Sequence, residues 1–184
     1  MEPRPRAGKW TLASGSPEYS YRNHRFYPIV MDNLSSQTRS HIMASIHSKD
    51  TKPEILVRKA LYSLGFRYRC HYKNLPGKPD IVLPKYRAII QVNGCFWHGH
   101  DCHIFKMPKS RTEFWENKIS RNQIRDEANH YQVTLSGWRN LVIWECALQG
   151  KEKQDFDWLI GEVVRWILVG GSSLELRGKG KPTL

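Results

Sequence analysis

The stretch Asp80-Ile-Val-Leu-Pro-Lys-Tyr-Arg-Ala-Ile-Ile-Gln-Val-Asn-Gly-Cys-Phe-Trp-His-Gly-His-Asp-Cys102 carries the reading of the fold. It opens with two apolar runs, Asp80–Leu83 and Arg87–Val92, separated by Pro84-Lys-Tyr. Runs that are apolar at successive positions belong to strands covered on both faces, so the pair predicts a hairpin in a buried sheet. Such a sheet needs helices, and the flanking sequence supplies them. Upstream, Thr51-Lys-Pro-Glu54 is a capping box with Pro in the first turn, followed by Leu56, Ala60, Leu61 and Leu64 on one face and Gly65 as a stop. Earlier still, Ile42, Met43 and Ile46 at helical spacing predict a short helix from Ser36. Between these and the hairpin, Phe66, Tyr68, Cys70 and Tyr72 alternate with basic residues, which predicts a strand with Cys70 on its apolar side.

Downstream, residues 112–133 read as a long polar helix with Trp115, Ile119, Ala128 and Tyr131 among its apolar positions. Leu141–Trp144 is a further buried strand, ending at Glu145-Cys146, and Phe156, Leu159, Ile160, Val163, Val164 and Ile167 mark an amphipathic helix closed by Gly170-Gly-Ser-Ser. The order of helices and strands is that of a single α/β or α+β domain, expected over residues 34–170. Residues 1–33, rich in Pro, Gly, Ser and Arg without periodicity, read as a disordered extension, with Met31 an alternative start. Residues 171–184 read as a flexible basic tail.

The formal net charge is +12 over 184 residues, and residues 1–33 hold only five Lys/Arg against three Asp/Glu, so the excess belongs to the folded part. A surplus of this size implies a polyanionic partner, nucleic acid first. No apolar run reaches the roughly 20 residues of a membrane span and the N-terminus has no signal-peptide core, so a cytoplasmic protein is expected. In a reducing compartment, clustered Cys with nearby His points to metal before disulfides.

Cys95, His98, His100 and Cys102 fall within eight residues, and Cys146 ends a buried strand from which it can approach them. Three thiolates and one imidazole make a closed structural zinc site. The spacing is not that of a zinc finger, and the H-x-E and P-C-x-x-C of zinc deaminases do not occur. Spacing alone leaves open which histidine takes the metal, because residues two apart in an extended loop face the same way. Asp80, entering a strand from Gly77-Lys-Pro79, faces the end of the next strand at Gln91-Val-Asn93, a placement that suits a hard cation bridging to phosphate, although an Asp after Pro is also an ordinary turn residue.

Four motifs in order, L-P-G-K-P-D (75–80), G-C-F-W-H-G-H-D-C (94–102), R-T-E-F-W (111–115) and W-E-C-A-L (144–148), together with T-R-S-H-I-M-A-S-I (38–46), resemble the very-short-patch repair endonucleases over about residues 38–168. The resemblance implies a restriction-endonuclease-like fold, a central mixed β-sheet flanked by helices with a structural zinc site. It implies nicking on the 5′ side of the thymine of a T·G mispair, in repair of deaminated 5-methylcytosine.

By the same resemblance, Asp80 binds catalytic Mg2+, Val92 offers it a backbone carbonyl, His98 is the base that activates water, and Asp126 orients His98. Cys95, His100, Cys102 and Cys146 hold structural Zn2+, and Phe96, Trp97 and Trp115 wedge into the duplex, where a mispaired step resists unstacking least. Trp115 also fits a helix core stripe. Glu54 matches a metal-site carboxylate while the capping box explains it locally, and both readings stand. Asn93 occupies a position where some relatives carry histidine. The expected partner is double-stranded DNA with a T·G mismatch, met by a monomer, with mismatch-repair proteins and a repair polymerase as associates. Two rival readings are a zinc-stabilised DNA-binding module without catalysis, which leaves Asp80 without a role, and a restriction-type nuclease acting on matched DNA.

Overall fold

The computed structural model describes residues 49–180 together with Ser35, Gln37, Thr38 and His41. The extension over 1–33 and the apolar positions of the helix expected from Ser36 lie outside the described residues. Helix α1 spans Lys52–Ser63. Its capping box forms: Thr51 Oγ1 accepts from the Glu54 N–H, and Glu54 accepts from Thr51 Oγ1 at 2.8 Å and from the Asp50 N–H at 3.0 Å.

Strands β1 (Ile81–Leu83) and β2 (Ala88–Asn93) form the hairpin, joined by a 3-10 turn at Pro84–Tyr86. Helix α2 (Thr112–Leu135) leads to β3 (Arg139–Trp144), the short α3 (Glu145–Leu148), α4 (Phe156–Val169) and β4 (Leu174–Leu176). The sheet order is β1-β2-β3-β4, with β1 antiparallel to β2 and the other neighbours parallel, which is the mixed sheet expected.

One face of the sheet is fully covered. Ile81, Leu83, Ala88, Ile90, Val92, Leu141 and Ile143 pack against Val57 and Leu61 of α1 and Leu159, Val163 and Ile167 of α4. Each aliphatic side chain buried there contributes about 1.5–3 kcal/mol. The other face is divided. Val82 and Ile89 meet Leu75 and Val133 in a small second core, while α2, which buries only Ile119 and Val133 in 24 residues, leaves a groove against β2 and β3 that reaches Asn93 and Trp144 at their carboxyl ends. Ligands of α/β sheets bind beyond such strand ends.

Two expectations are corrected. Residues 66–72 are not a strand: the segment makes one bridge, Arg69 to Val82, then turns at His71, whose φ is +47°. β1 is only three residues long and gives it little edge to follow, so Cys70 is exposed instead of lying in the core. The supposed flexible tail carries β4, whose Leu174, Glu175 and Leu176 pair with Leu141, Val142 and Ile143. The apolar Leu174 and Leu176 settle on the covered face, which a reading of the tail as basic had passed over. No described helix is long and apolar enough to cross a membrane.

Candidate active site and metal centre

The loop after β2 is wound into turns, not extended. His98 N–H donates to Gly94 O, Gly99 N–H to Phe96 O and His100 N–H to Cys95 O. Gly99 takes φ +61°, and a Cβ there would stand 2.6 Å from Ile119 Cγ2 and 2.7 Å from Gln123 Nε2. The left-handed step and the close approach of α2 both call for glycine. The turn sends His98 and His100 to different sides, so the argument that residues two apart face alike does not apply here.

His100 is 6% exposed, and its Nδ1 lies 3.6 Å from Sγ of both Cys95 and Cys146. The ligand atoms of Cys95, His100, Cys102 and Cys146 all lie within 4.8 Å of one another. Tetrahedral zinc with bonds of about 2.0–2.3 Å needs ligand separations of about 3.4–3.8 Å, so this donor set fits the ion. Backbone N–H groups of Cys146 and Gly178 point at Cys95 Sγ and Cys146 Sγ, each at 3.3 Å, as donors do toward thiolates. The Cys95 thiol, with help from His100 and the Gly178 N–H, holds Cys146 below its ordinary range, while the same contact and burial push Cys95 up. Metal binding to such thiols releases their protons. Trp144 stacks on the His100 ring at 4.0 Å and is itself held by a hydrogen bond to Glu175 of β4.

His98 turns the other way. Its Nδ1 makes a short hydrogen bond to Asp126 of α2. The helix grips the loop main chain as well: Asn122 Nδ2 donates to Trp97 O at 2.8 Å and Gln123 Nε2 to His98 O at 3.2 Å. His98 and Asp126 line a groove of about 300 Å³ with Gln91, Asn93, Asn140 and Trp144. The β1–β2 register, in which Ile81 faces Ile90, brings Asp80, just before β1, to the end of β2, where it meets Val92.

Asp80 is a strand-end carboxylate whose Oδ2 accepts from the Val92 N–H at 2.8 Å and whose Oδ1 lies 3.9 Å from His71 Nδ1. Burial pushes it up to about 6 against the pull of the Val92 N–H, and the Glu54 carboxylate adds to the rise. A desolvated carboxylate of this kind, beside a second one, fits a hard divalent cation. Glu54 is 3% exposed and engaged by Thr51, Asp50 and Arg58, so the capping role is present in full while the residue stays close to Asp80.

Phe96, Trp97 and Trp115 gather into one half-buried cluster, with Phe96 5.2 Å from each tryptophan and Trp97 6.1 Å from Trp115. Trp115 belongs to neither apolar core. Lys118 Nζ lies over the rings of Trp97, Phe114 and Trp115 at 5.2–5.8 Å.

Sequence reading missed Asn122 and Gln123, which fix the loop, Glu145, which accepts from the Cys95 N–H at 3.0 Å, and Arg58, which bonds Glu54. Arg58 was discoverable as an i,i+4 partner of Glu54. The others depend on how α2 and β3 meet the loop.

The arrangement combines an imidazole–carboxylate pair, a separate desolvated carboxylate, a thiolate-rich centre and clustered aromatic rings. Comparison with known proteins points the same way. Residues 31–104 match the family model described as DNA mismatch endonuclease Vsr. The chain is 41% identical to the DNA mismatch endonuclease Vsr of Escherichia coli K12 over 151 residues, which is 82% of this chain and 97% of that protein. It is 47% identical to the type II nicking enzyme V.XorIIP of Xanthomonas oryzae pv. oryzae over 65% of this chain and 88% of the relative. With V.NmeAIP, a type II nicking enzyme of Neisseria meningitidis serogroup A, identity is 48% over 66% and 87%. A match along almost the whole of the Escherichia coli protein, with a mixed sheet and a Cys/His centre beneath it, places this chain in the Vsr family of DNA mismatch endonucleases.

Proposed function

We propose that this protein nicks double-stranded DNA on the 5′ side of the thymine in a T·G mispair, initiating very-short-patch repair of deaminated 5-methylcytosine. The observation that carries the reading is the His98–Asp126 pair, placed on the groove that α2 forms with the carboxyl ends of β2 and β3. In the tautomer that donates Nδ1–H to Asp126, the neutral His98 ring presents Nε2 as the acceptor that can take a proton from an attacking water. Asp126 fixes that tautomer and stabilises the imidazolium that follows.

Asp80, with the Val92 carbonyl, would hold Mg2+, which when bound supplies positive charge against the charge developing on the scissile phosphate. Asp80 binds and orients, and the Val92 N–H keeps its carboxylate in one rotamer. Cys95, His100, Cys102 and Cys146 would hold Zn2+ as a structural staple that fixes the loop bearing His98. Phe96, Trp97 and Trp115 offer flat faces for a step that has lost its stacking, and Lys118 above them adds charge for the backbone. The protein acts as a monomer on DNA, with mismatch-repair proteins and a repair polymerase following.

A non-catalytic DNA-binding module is the weaker alternative, because it gives the His98–Asp126 pair and the desolvated Asp80 nothing to do. Cleavage of matched DNA is the second. Mg2+-dependent nicking of a T·G duplex, with the matched duplex and the Mg2+-free reaction alongside, tests all three. Nicking of matched DNA at the same rate would refute mismatch specificity, and DNA binding without nicking in Mg2+ would refute catalysis.

A further inference from the structure

We propose that Arg58 is a positioning residue of the Asp80 centre, an internal cation that locks Glu54 and the Asp80 main chain in place at the expense of divalent-ion affinity. Arg58 is 7% exposed although it carries a full charge. Its Nη2 donates to Glu54 Oε2 at 2.7 Å and to the Asp80 carbonyl at 3.2 Å, and lies 3.2 Å from His71 Nε2. Its Nη1 donates to Asp50 Oδ1 at 2.5 Å. One guanidinium thus ties the start of α1, the turn at His71 and the step into β1 to a single point.

The chemistry of the site explains why a cation sits there. Asp50, Glu54 and His71 offer ligand atoms within 4.8 Å of one another, and Asp80 lies next to them. Asp50 is exposed, but Glu54 and Asp80 are largely removed from solvent, where neighbouring carboxylates repel one another unless a positive charge is interposed. Arg58 supplies it permanently, and its planar fork reaches several acceptors at fixed angles as a lysine ammonium does not. The same charge opposes a second cation on Asp80. Geometry and affinity therefore respond to Arg58 in opposite directions, which loss of fold cannot imitate.

The inference rests on the reading that Asp80 holds the divalent ion, and the test separates the two. Nicking of a T·G duplex by the full chain is followed under single turnover across a Mg2+ series for wild type, R58M and R58K, with folding checked by circular dichroism. In R58M the rate constant at saturating Mg2+ should fall at least tenfold while the half-saturating Mg2+ concentration falls several-fold. R58K keeps the charge but loses the fork, so its rate constant should fall while its half-saturating concentration stays at the wild-type value. A wild-type rate constant in R58M, or a half-saturating concentration that is unchanged or raised there, overturns the proposal. If R58M does not fold, R58K decides, and a wild-type rate constant in it overturns the proposal. Mn2+ titration by electron paramagnetic resonance reads binding without turnover: R58M should bind Mn2+ several-fold more tightly than wild type, and equal or weaker binding overturns the proposal, while D80N binding Mn2+ as tightly as wild type removes Asp80 as the ligand, whatever the Arg58 variants do.

Discussion

His98 and His100 stand two residues apart and serve different partners: His98 Nδ1 bonds Asp126 on α2, while His100 Nδ1 faces the sulfurs of Cys95 and Cys146. Gly99, held at φ +61° against Ile119, makes the divergence. A loop built in this way would couple a metal centre to the groove, since an ion held by His100 would also fix the main chain that carries His98.

Zinc content therefore distinguishes the two histidines. H100A should lose its zinc on dialysis and unfold at a lower temperature, because a closed site missing one ligand binds far more weakly. H98A should keep one zinc per chain and its thermal stability. Elemental analysis with circular dichroism checks this, and zinc lost from H98A but kept in H100A would exchange the roles.

The His98–Asp126 pair should behave as one unit. If His98 is the base, H98A should slow nicking by about 10²–10⁴-fold. D126N should cost a large part of that factor by releasing the tautomer, and the double variant should be no slower than H98A alone, since residues acting through one proton are not additive. Single-turnover rates of the three variants give the cycle. A double variant slower than H98A by the full D126N factor would make Asp126 independent of His98.

What the sequence disclosed follows from range. The hairpin, β3, α1 and α4 were legible because their apolar periods and the Thr51–Glu54 box are local, and the Cys/His cluster because its spacing is local too. β4 was not: Leu174-Glu-Leu is too short to show a period, and it forms because β3 offers an open parallel edge. Residues 66–72 failed in the opposite sense, since Phe66–Tyr72 alternates like a strand but finds only Val82 to pair with. The grip of Asn122 and Gln123 on the loop lies on a polar helix face, where sequence cannot separate contact from solvation. Arg58 joins three segments that only the fold brings together.

Asp80 should leave a pH signature in metal-free protein. Its carboxyl sits at about 6 in the fold against an ordinary 3.8, so the neutral form is favoured by folding. The associated stability is complete below about pH 4 and is lost as pH rises through about 6, an effect on the order of 2–3 kcal/mol. D80N, neutral throughout, should be more stable than wild type at pH 7 and level with it near pH 4. Mg2+ should stabilise wild type and leave D80N unmoved, and D80N should still bind the T·G duplex. Melting curves in Mg2+-free buffer without chelator, which would strip zinc, provide the measurement. Equal stability of the two proteins at pH 7 would sink the argument.

The aromatic cluster predicts a loss of discrimination separate from a loss of chemistry. Trp97 and Trp115 lie outside both cores, so replacing either by alanine should cost little stability. Stacking on a base is worth about 1–3 kcal/mol per ring. If the rings occupy a destacked mispaired step, W97A and W115A should weaken binding to T·G duplex by that amount and leave binding to matched duplex, which rests on phosphate contacts, nearly unchanged. Lys118 offers a control, because K118A removes charge from the same patch without removing a ring, and it should lower affinity for both duplexes alike and flatten their salt dependence. Fluorescence anisotropy with the two duplexes over a salt series measures all three variants together. Equal losses on matched and mismatched DNA in W97A and W115A would assign the cluster to general DNA contact, and a selective loss on T·G in K118A would move mismatch recognition from the rings to the lysine.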